Sequence, residues 1–438
     1  MRWGRKLRAL SPRATLMLGF ALFLVYAFPG YMSTDSVAQL LEARTGHFSD
    51  AHPPLMSAEW WVLDRIVSGP ILMLLLQGAL FLGGLYVLFQ HVLSPRKAAW
   101  TAVGVLLFPP VLTTMAVIWK DSQMAAYLVA GTAAVIHPRL RVRLGGLGLL
   151  VAACALRHNA LAAVVPLVAT LFDWRPGLLL WKRLSIMAAA AVLTVGATFA
   201  VSRMLTTEHV KLTPAISDVV GVIAFSRERS DDDLRVALRG TRLVVAERIQ
   251  AHARYLCARR GAWRLTQGDE RMFDLPQNEQ EWAAMYRAWK ELVLGDPGAY
   301  LAYHWDGFAR IIGLDGERPR APVWNLFLEA PAQMPAIDHI ATHSELQAWL
   351  GFRWCYWLAD ETPLFRPYVY ALIALALLVL CCRERLTFAL YTSGLLYELS
   401  FFPVGAEPDY RYSHWMVTSV VIATVILFVQ RKRRGAAP

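Results

Sequence analysis

The sequence predicts an all-α polytopic membrane protein of about ten transmembrane helices, and three observations predict it. Of 438 residues, 56% are hydrophobic and only 18% are charged, where an ordinary soluble domain carries about 25% charged residues. Apolar runs recur along most of the chain. Basic residues concentrate in the short segments between alternate runs: Met1–Arg13, Ser94–Lys97, His137–Arg143, Asp173–Arg183, Cys381–Arg385 and Gln430–Pro438. These hold 19 Lys and Arg against only Asp173 and Glu384, while the rest of the chain holds 25 basic and 31 acidic residues. That asymmetry is the positive-inside pattern. The net charge of +11 therefore reports topology and gives no case for nucleic acid. Disordered, collagen-like and disulfide-stapled secreted classes are excluded by the same composition.

The expected spans, in order, are 14–30, 70–93, 98–118, 122–137, 144–156, 159–172, 184–205, 366–382, 386–403 and 413–430. Leu16–Phe28 follows a basic stretch, but no small-residue cleavage site comes after it, so it reads as an uncleaved first helix. An even number of spans with basic ends places both termini in the cytoplasm. The outer connections then face the periplasm of a Gram-negative host, in its inner membrane. A full span needs about 20 apolar residues, and the fifth and sixth runs are shorter. Their junction, Arg157-His158-Asn159, reads as the polar tip of a helical hairpin in an outward-facing cavity; the alternative is one kinked helix with a buried arginine.

Three segments result: a transmembrane catalytic core over 1–205, a periplasmic, mostly helical insertion over 206–364, and C-terminal helices over 365–438. The insertion is close to neutral, with 18 basic and 22 acidic residues. Apolar spacing predicts helices over Asp231–Gly261 and Glu279–Leu294. In Asp296–Leu314, Asp296 is the expected N-cap and Pro297 the first helical residue. Leu301, Trp305, Phe308 and Ile312 share a face there, which suits a helix lying on a membrane or one facing a core. Of the five cysteines, Cys257 and Cys355 both fall in this segment, and a disulfide between them is expected.

Absences narrow the chemistry. The sequence has no Walker loop, dinucleotide fingerprint, Gly-x-Ser-x-Gly elbow or His-Glu-x-x-His motif. What remains is a set of ionisable residues at the outer ends of the spans. Asp35 follows the first span in Ser33-Thr34-Asp35-Ser36, where it could cap a helix, act in catalysis, or both. Asp50-Ala51-His52-Pro53-Pro54-Leu55 closes the same connection. Trp119-Lys120-Asp121 ends the third span, where an anchoring lysine and a capping aspartate are the plain alternative. Arg157-His158-Asn159 forms the next outer tip, and Asp409-Tyr410-Arg411-Tyr412 opens the last span, where tyrosines also suit the interfacial aromatic belt. Two carboxylates (Asp35, Asp121) and several cations (Lys120, Arg157, Arg411, with His158 when protonated) meet the needs of transfer from a phosphate leaving group. Such a reaction uses a base for the acceptor hydroxyl and positive charge for the departing phosphate.

The early Asp35, the His-Pro-Pro-Leu stretch, Trp119-Lys120-Asp121 and Arg157-His158-Asn159 together resemble the C superfamily of membrane glycosyltransferases. The likeness is to family 39-type members related to protein O-mannosyltransferases and the lipid A aminoarabinose transferase. It covers Ala14–Phe172 and, more loosely, the last spans through Asp409-Tyr410-Arg411-Tyr412. The resemblance implies a C-superfamily core, a polyprenyl-phosphate-linked sugar as donor and a lipid, glycan or protein acceptor at the periplasmic face. By the same resemblance Asp35 and Asp121 match the catalytic acids, and Lys120, Arg157, His158 and Arg411 match contacts to the donor phosphate. Asp50, His52, Asn159, Tyr410 and Tyr412 remain substrate-binding or structural candidates. No cofactor is expected; some relatives use a divalent metal, for which Asp35, Asp50 and His52 would make a weak site. The chain departs from these relatives in having fewer spans and an insertion after the seventh. Rival readings are an O-antigen polymerase or ligase and a flippase for lipid-linked sugars.

Overall fold

A computed structural model describes residues 10–50, 53–175, 177–207, 214–245, 247–259, 262–316, 344–405 and 407–435. Those residues form helices and connections, with no strands among them beyond two isolated bridges. The chain divides into two compact units: Met1–Val210 with Ala321–Leu399 and Tyr410–Pro438, and Lys211–Arg320 with Ser400–Asp409.

In the first unit, α1 (Pro12–Ala27) leads to α2 (Thr34–Thr45) and α3 (Leu55–Leu63), followed by α4 (Ile71–Gln90), α5 (Pro95–Leu106), α6 (Pro109–Met115) and α7 (Lys120–Val135). Then come α8 (Leu140–Leu156), α9 (Ala160–Leu171) and α10 (Leu180–Leu205). Among the described residues, three helices are long and apolar enough to cross a membrane: Ile71–Gln90, Leu180–Leu205 and Tyr410–Arg434. The pair α5–α6 makes a fourth if its two halves are one span. The expected 98–118 span is thus a broken helix, bent by 71°. Phe108 is extended ahead of Pro109, because a proline disfavours helical geometry in the residue before it. The other expected spans are helices of 12 to 17 residues.

The region 144–172 is two helices with a break at the expected junction. Helix α8 stops at Leu156, Arg157 is extended, and α9 restarts at Ala160. Helix α8 packs along α7 at close range: a Cβ on Gly146 would meet the Val135 backbone nitrogen at 2.7 Å. Helix α4 covers α7 from another side and α1 packs on α5.

In the second unit, α11 (Pro214–Phe225) is the central helix. After it, α12 (Asp231–Ala237) adds Leu234 and Ala237 to the same core, and α13 (Ile249–Arg259), α14 (Glu279–Gly295) and α15 (Pro297–Ile312) pack on α11. Ile216, Val219, Val220 and Ile223 of α11 are fully buried in its core. Gly221 lets the Tyr303 ring of α15 lie directly on α11, since a Cβ there would come within 2.3 Å of it. The helix expected over Asp231–Gly261 is two helices, because the chain turns between them at Gly240 (φ +80°) and Arg248 (φ +53°). Asp296 caps α15 as expected, accepting from the Ala299 amide at 2.9 Å. The expected apolar face of α15 divides: Leu301 and Trp305 are exposed and Ile312 is buried.

The compact second unit is narrower than the 206–364 insertion expected. Residues 344–364 belong to the first unit, where Gln347 donates to the carbonyls of Tyr26 and Phe28 at the end of α1. There the short α16 (Glu345–Ala348) runs into a π-helical turn, Trp349–Cys355, and α17 (Tyr356–Glu361). The unit ends with α18 (Pro367–Leu378), α19 (Arg385–Leu399) and α20 (His414–Gly435). Among the described residues no disulfide joins Cys257 to Cys355, which corrects that expectation. Cys257 faces the Val220 carbonyl in the second unit. Cys355 is buried in the first unit beside Tyr26 and Tyr31.

Candidate active site

The segment carrying Asp35 and the segment carrying Lys120 and Asp121 are tied together by their backbones. Tyr31 donates to the Ala116 carbonyl at 3.0 Å and accepts from the Ile118 amide at 2.8 Å. Ser36 Oγ adds a bond to the Ile118 carbonyl at 2.7 Å. From the other side, Gln77 of α4 donates to the carbonyls of Met115 and Val117 at 2.8 and 3.0 Å. Helix α2 is capped by Ser33 and Ser36 in a reciprocal capping box. Asp35 therefore lies in the first helical turn with its carboxylate released from capping. Trp119, not Asp121, is the N-cap of α7, and its indole N–H donates to Ser33 Oγ at 2.7 Å.

Five ionisable side chains converge here. Arg411 Nη1 donates to Asp35 Oδ2 at 2.7 Å, and Arg157 Nη1 donates to Asp121 Oδ1. Lys120 lies within electrostatic reach of Arg157, Asp35, Asp121 and Arg411. The aromatic rings sit between the cations. The Arg157 guanidinium is 4.6 Å from the Tyr412 ring centre, and the Arg411 guanidinium is 4.9 Å from that of Trp119 and 5.4 Å from that of Tyr412. Such stacking stabilises a partly desolvated guanidinium while leaving its N–H edge available. The cluster holds three cations against two carboxylates, an excess that favours an anion.

The two acids differ in access. The Asp35 side chain is 29% exposed, whereas that of Asp121 is fully buried with Oδ2 unpartnered. Asp35 can reach a bound molecule; Asp121 acts on Arg157. Asn159 completes the hold on that arginine, accepting from Nε at 3.0 Å. His158 is turned toward α10, sharing a hydrogen bond with Ser202 Oγ at 3.2 Å. Burial, and then the Lys120 charge, hold its imidazole below the usual histidine pKa, which favours the neutral ring. Tyr410 is a buried support whose hydroxyl donates to the Pro110 carbonyl at 3.3 Å and whose ring packs on Phe365. Asp50 is part-buried at the end of the described loop, and His52 lies outside the described residues. Among the described residues no group of three or more His, Cys, Asp or Glu could hold a metal ion.

Trp119, expected as an interfacial aromatic, bridges Ser33 and Arg411. Other participants were not singled out from the sequence. Tyr397 of α19 interacts electrostatically with Arg157 and Asp121. Glu398, next to it, accepts from Ser413 Oγ at 2.6 Å and so fixes the 3₁₀ turn Tyr410–Ser413 that carries Arg411 and Tyr412. Glu59 of α3 accepts from Tyr127 at 2.7 Å and from Gln123. Burial raises its carboxyl pKa to about 7, against the lowering effect of those two hydrogen bonds. A lone carboxylate in an apolar run, as at Glu398, is the sequence signal that would have found one of these. Family models, curated proteins and solved structures give no match to this chain.

Proposed function

We propose that the first unit is a membrane glycosyltransferase core that moves a sugar from a polyprenyl-phosphate donor to an acceptor hydroxyl. The observation that carries this reading is the cluster itself: Lys120, Arg157 and Arg411 around one partly exposed carboxylate, Asp35, and one buried carboxylate, Asp121. The acceptor oxygen attacks the anomeric carbon as its proton passes to Asp35. The bond from that carbon to the phosphate oxygen breaks, its electron pair leaves with the phosphate, and the three cations meet the developing charge. A single displacement of this kind inverts the anomeric configuration. Asp121 and Asn159 hold the Arg157 fork in place, so that positioning is established before the donor arrives.

In the membrane reading the apolar helices form about ten spans of a bacterial inner membrane, with both termini cytoplasmic and the cluster facing the periplasm. The basic residues of alternate connections support that sidedness, and the resemblance at Asp35, Trp119-Lys120-Asp121 and Arg157-His158-Asn159 supports the chemistry. The test uses full-length protein in native membranes, supplied with labelled polyprenyl-phosphate sugar and an envelope extract as the source of acceptor. Wild type should release polyprenyl phosphate and transfer label, and Asp35→Asn should do neither. Equal release by both proteins would overturn the proposal.

A further inference from the structure

Away from the cluster, the first unit carries an aromatic cage built on an unusual turn. Trp349–Cys355 is π-helical, and its i→i+5 pairing brings residues five apart onto one side. Trp349 and Trp354 are that pair, edge to face at 5.8 Å, and Trp357 continues the side at 6.2 Å from Trp354. Together with Arg353 these three tryptophans line a cavity of about 370 Å³. All three rings are about half exposed, at 48%, 49% and 52%. Among the described residues no carboxylate pairs with Arg353.

The position of the cage says what covers it. Gln347 anchors the segment to the last carbonyls of α1. That helix exposes Leu18, Leu22 and Val25, spaced three and four apart along one face, and Phe28 just past its end is exposed as well. On the other side the chain enters α18, which exposes Leu372 and Leu375. The cage thus sits where two apolar, outward-facing helix surfaces end. Tryptophan is favoured at that level of a bilayer, because its ring is apolar and its N–H is polar. Arginine there meets a phosphate with a forked pair of N–H groups.

We propose that Trp349, Arg353, Trp354 and Trp357 form a binding site for the anionic phosphodiester headgroup of a membrane glycerophospholipid, with Arg353 on the phosphate and the tryptophans around the glycerol and upper acyl chains. The site is separate from the Asp35 cluster, and the proposal does not rest on glycosyl transfer.

The test uses the full-length protein in detergent micelles, titrated with phosphatidylglycerol or with diacylglycerol of the same chains, with native mass spectrometry counting the lipid retained. Wild type should retain phosphatidylglycerol in preference to diacylglycerol. Arg353→Gln should lower that retention about fivefold, the scale of one basic contact near an anionic surface, and Trp354→Ala should lower it too. Arg431→Gln, a basic residue outside the cage, should retain lipid as wild type does. Equal retention of the two lipids, or unchanged retention in Arg353→Gln, would show a plain aromatic anchor and overturn the proposal. Displacement of phosphatidylglycerol by inorganic phosphate alone would overturn it as well, in favour of a free-anion site.

Discussion

Asp35 and Arg411 are separated by 376 positions in the chain and joined by a 2.7 Å hydrogen bond. The pair closes the cluster, bringing the first connection against the turn that opens the last helix. In the resting protein Arg411 neutralises the carboxylate proposed as the base. A donor phosphate competing for that guanidinium would release Asp35 at the moment it is needed.

Asp35→Asn tests the base with little disturbance of the fold. Ser33 and Ser36 cap α2, and asparagine keeps the shape and an acceptor for Arg411. Transfer should fall by about 10²–10⁴, the usual cost of losing a general base, with insertion into membranes unchanged. A well-folded variant with near-normal transfer would remove Asp35 from the mechanism.

The Asp121–Arg157 pair should behave differently. Asp121→Ala leaves the Arg157 guanidinium largely buried without its partner, and breaking such a pair costs about 3–5 kcal/mol. The expected result is a lower unfolding temperature in detergent, together with lost transfer. Replacing both residues, as Asp121→Leu with Arg157→Met, should restore much of the stability and none of the transfer. Restored transfer in the double variant would show that the pair is purely architectural.

Glu59 gives a pH signature. Burial raises its carboxyl pKa to about 7 in the folded protein from an ordinary value of 4.5, so the folded state holds the proton over a range where the unfolded chain has released it. The stability it contributes is therefore full below about pH 4.5 and falls as pH rises to about 7, then levels off. Glu59→Gln cannot release a proton. Thermal unfolding of the two proteins, compared from pH 4.5 to 8, should show the variant gaining relative to wild type as pH rises. A constant difference across that range would contradict the burial of this carboxyl.

Cys257 and Cys355 provide a covalent check on the fold. After denaturation without reductant, both should accept an alkylating label, and peptide maps should contain no linked pair. A recovered Cys257–Cys355 peptide would contradict the arrangement.

Much of the cluster was legible because ionisable groups at the ends of apolar runs are costly and stand out. That signal marked Asp35, Lys120, Asp121, Arg157 and Arg411 individually. Their pairing was not legible, since it depends on how helices distant in sequence pack. Glu59 was missed for the same reason: in Leu55–Leu63 it reads as a solvated residue, and its partners Gln123 and Tyr127 belong to another helix. The single helix expected over Asp231–Gly261 failed because its apolar spacing continues through a chain reversal at Gly240. The straight run expected over 98–118 overlooked the break that Pro109 and Pro110 impose.

The backbone bridge between Tyr31 and Val117 has a consequence for how this chain can vary. The spacing from Asp35 to Lys120 and Asp121 is set by main-chain bonds, which are indifferent to side-chain identity. Adding or removing one residue in either segment would therefore carry an acid out of register. Arg411 is held differently, by side chains: its own bond to Asp35, the Tyr410 hydroxyl on the Pro110 carbonyl and the bond from Ser413 to Glu398. A substitution at Glu398 would loosen the turn that carries the arginine while leaving the backbone register of both acids in place.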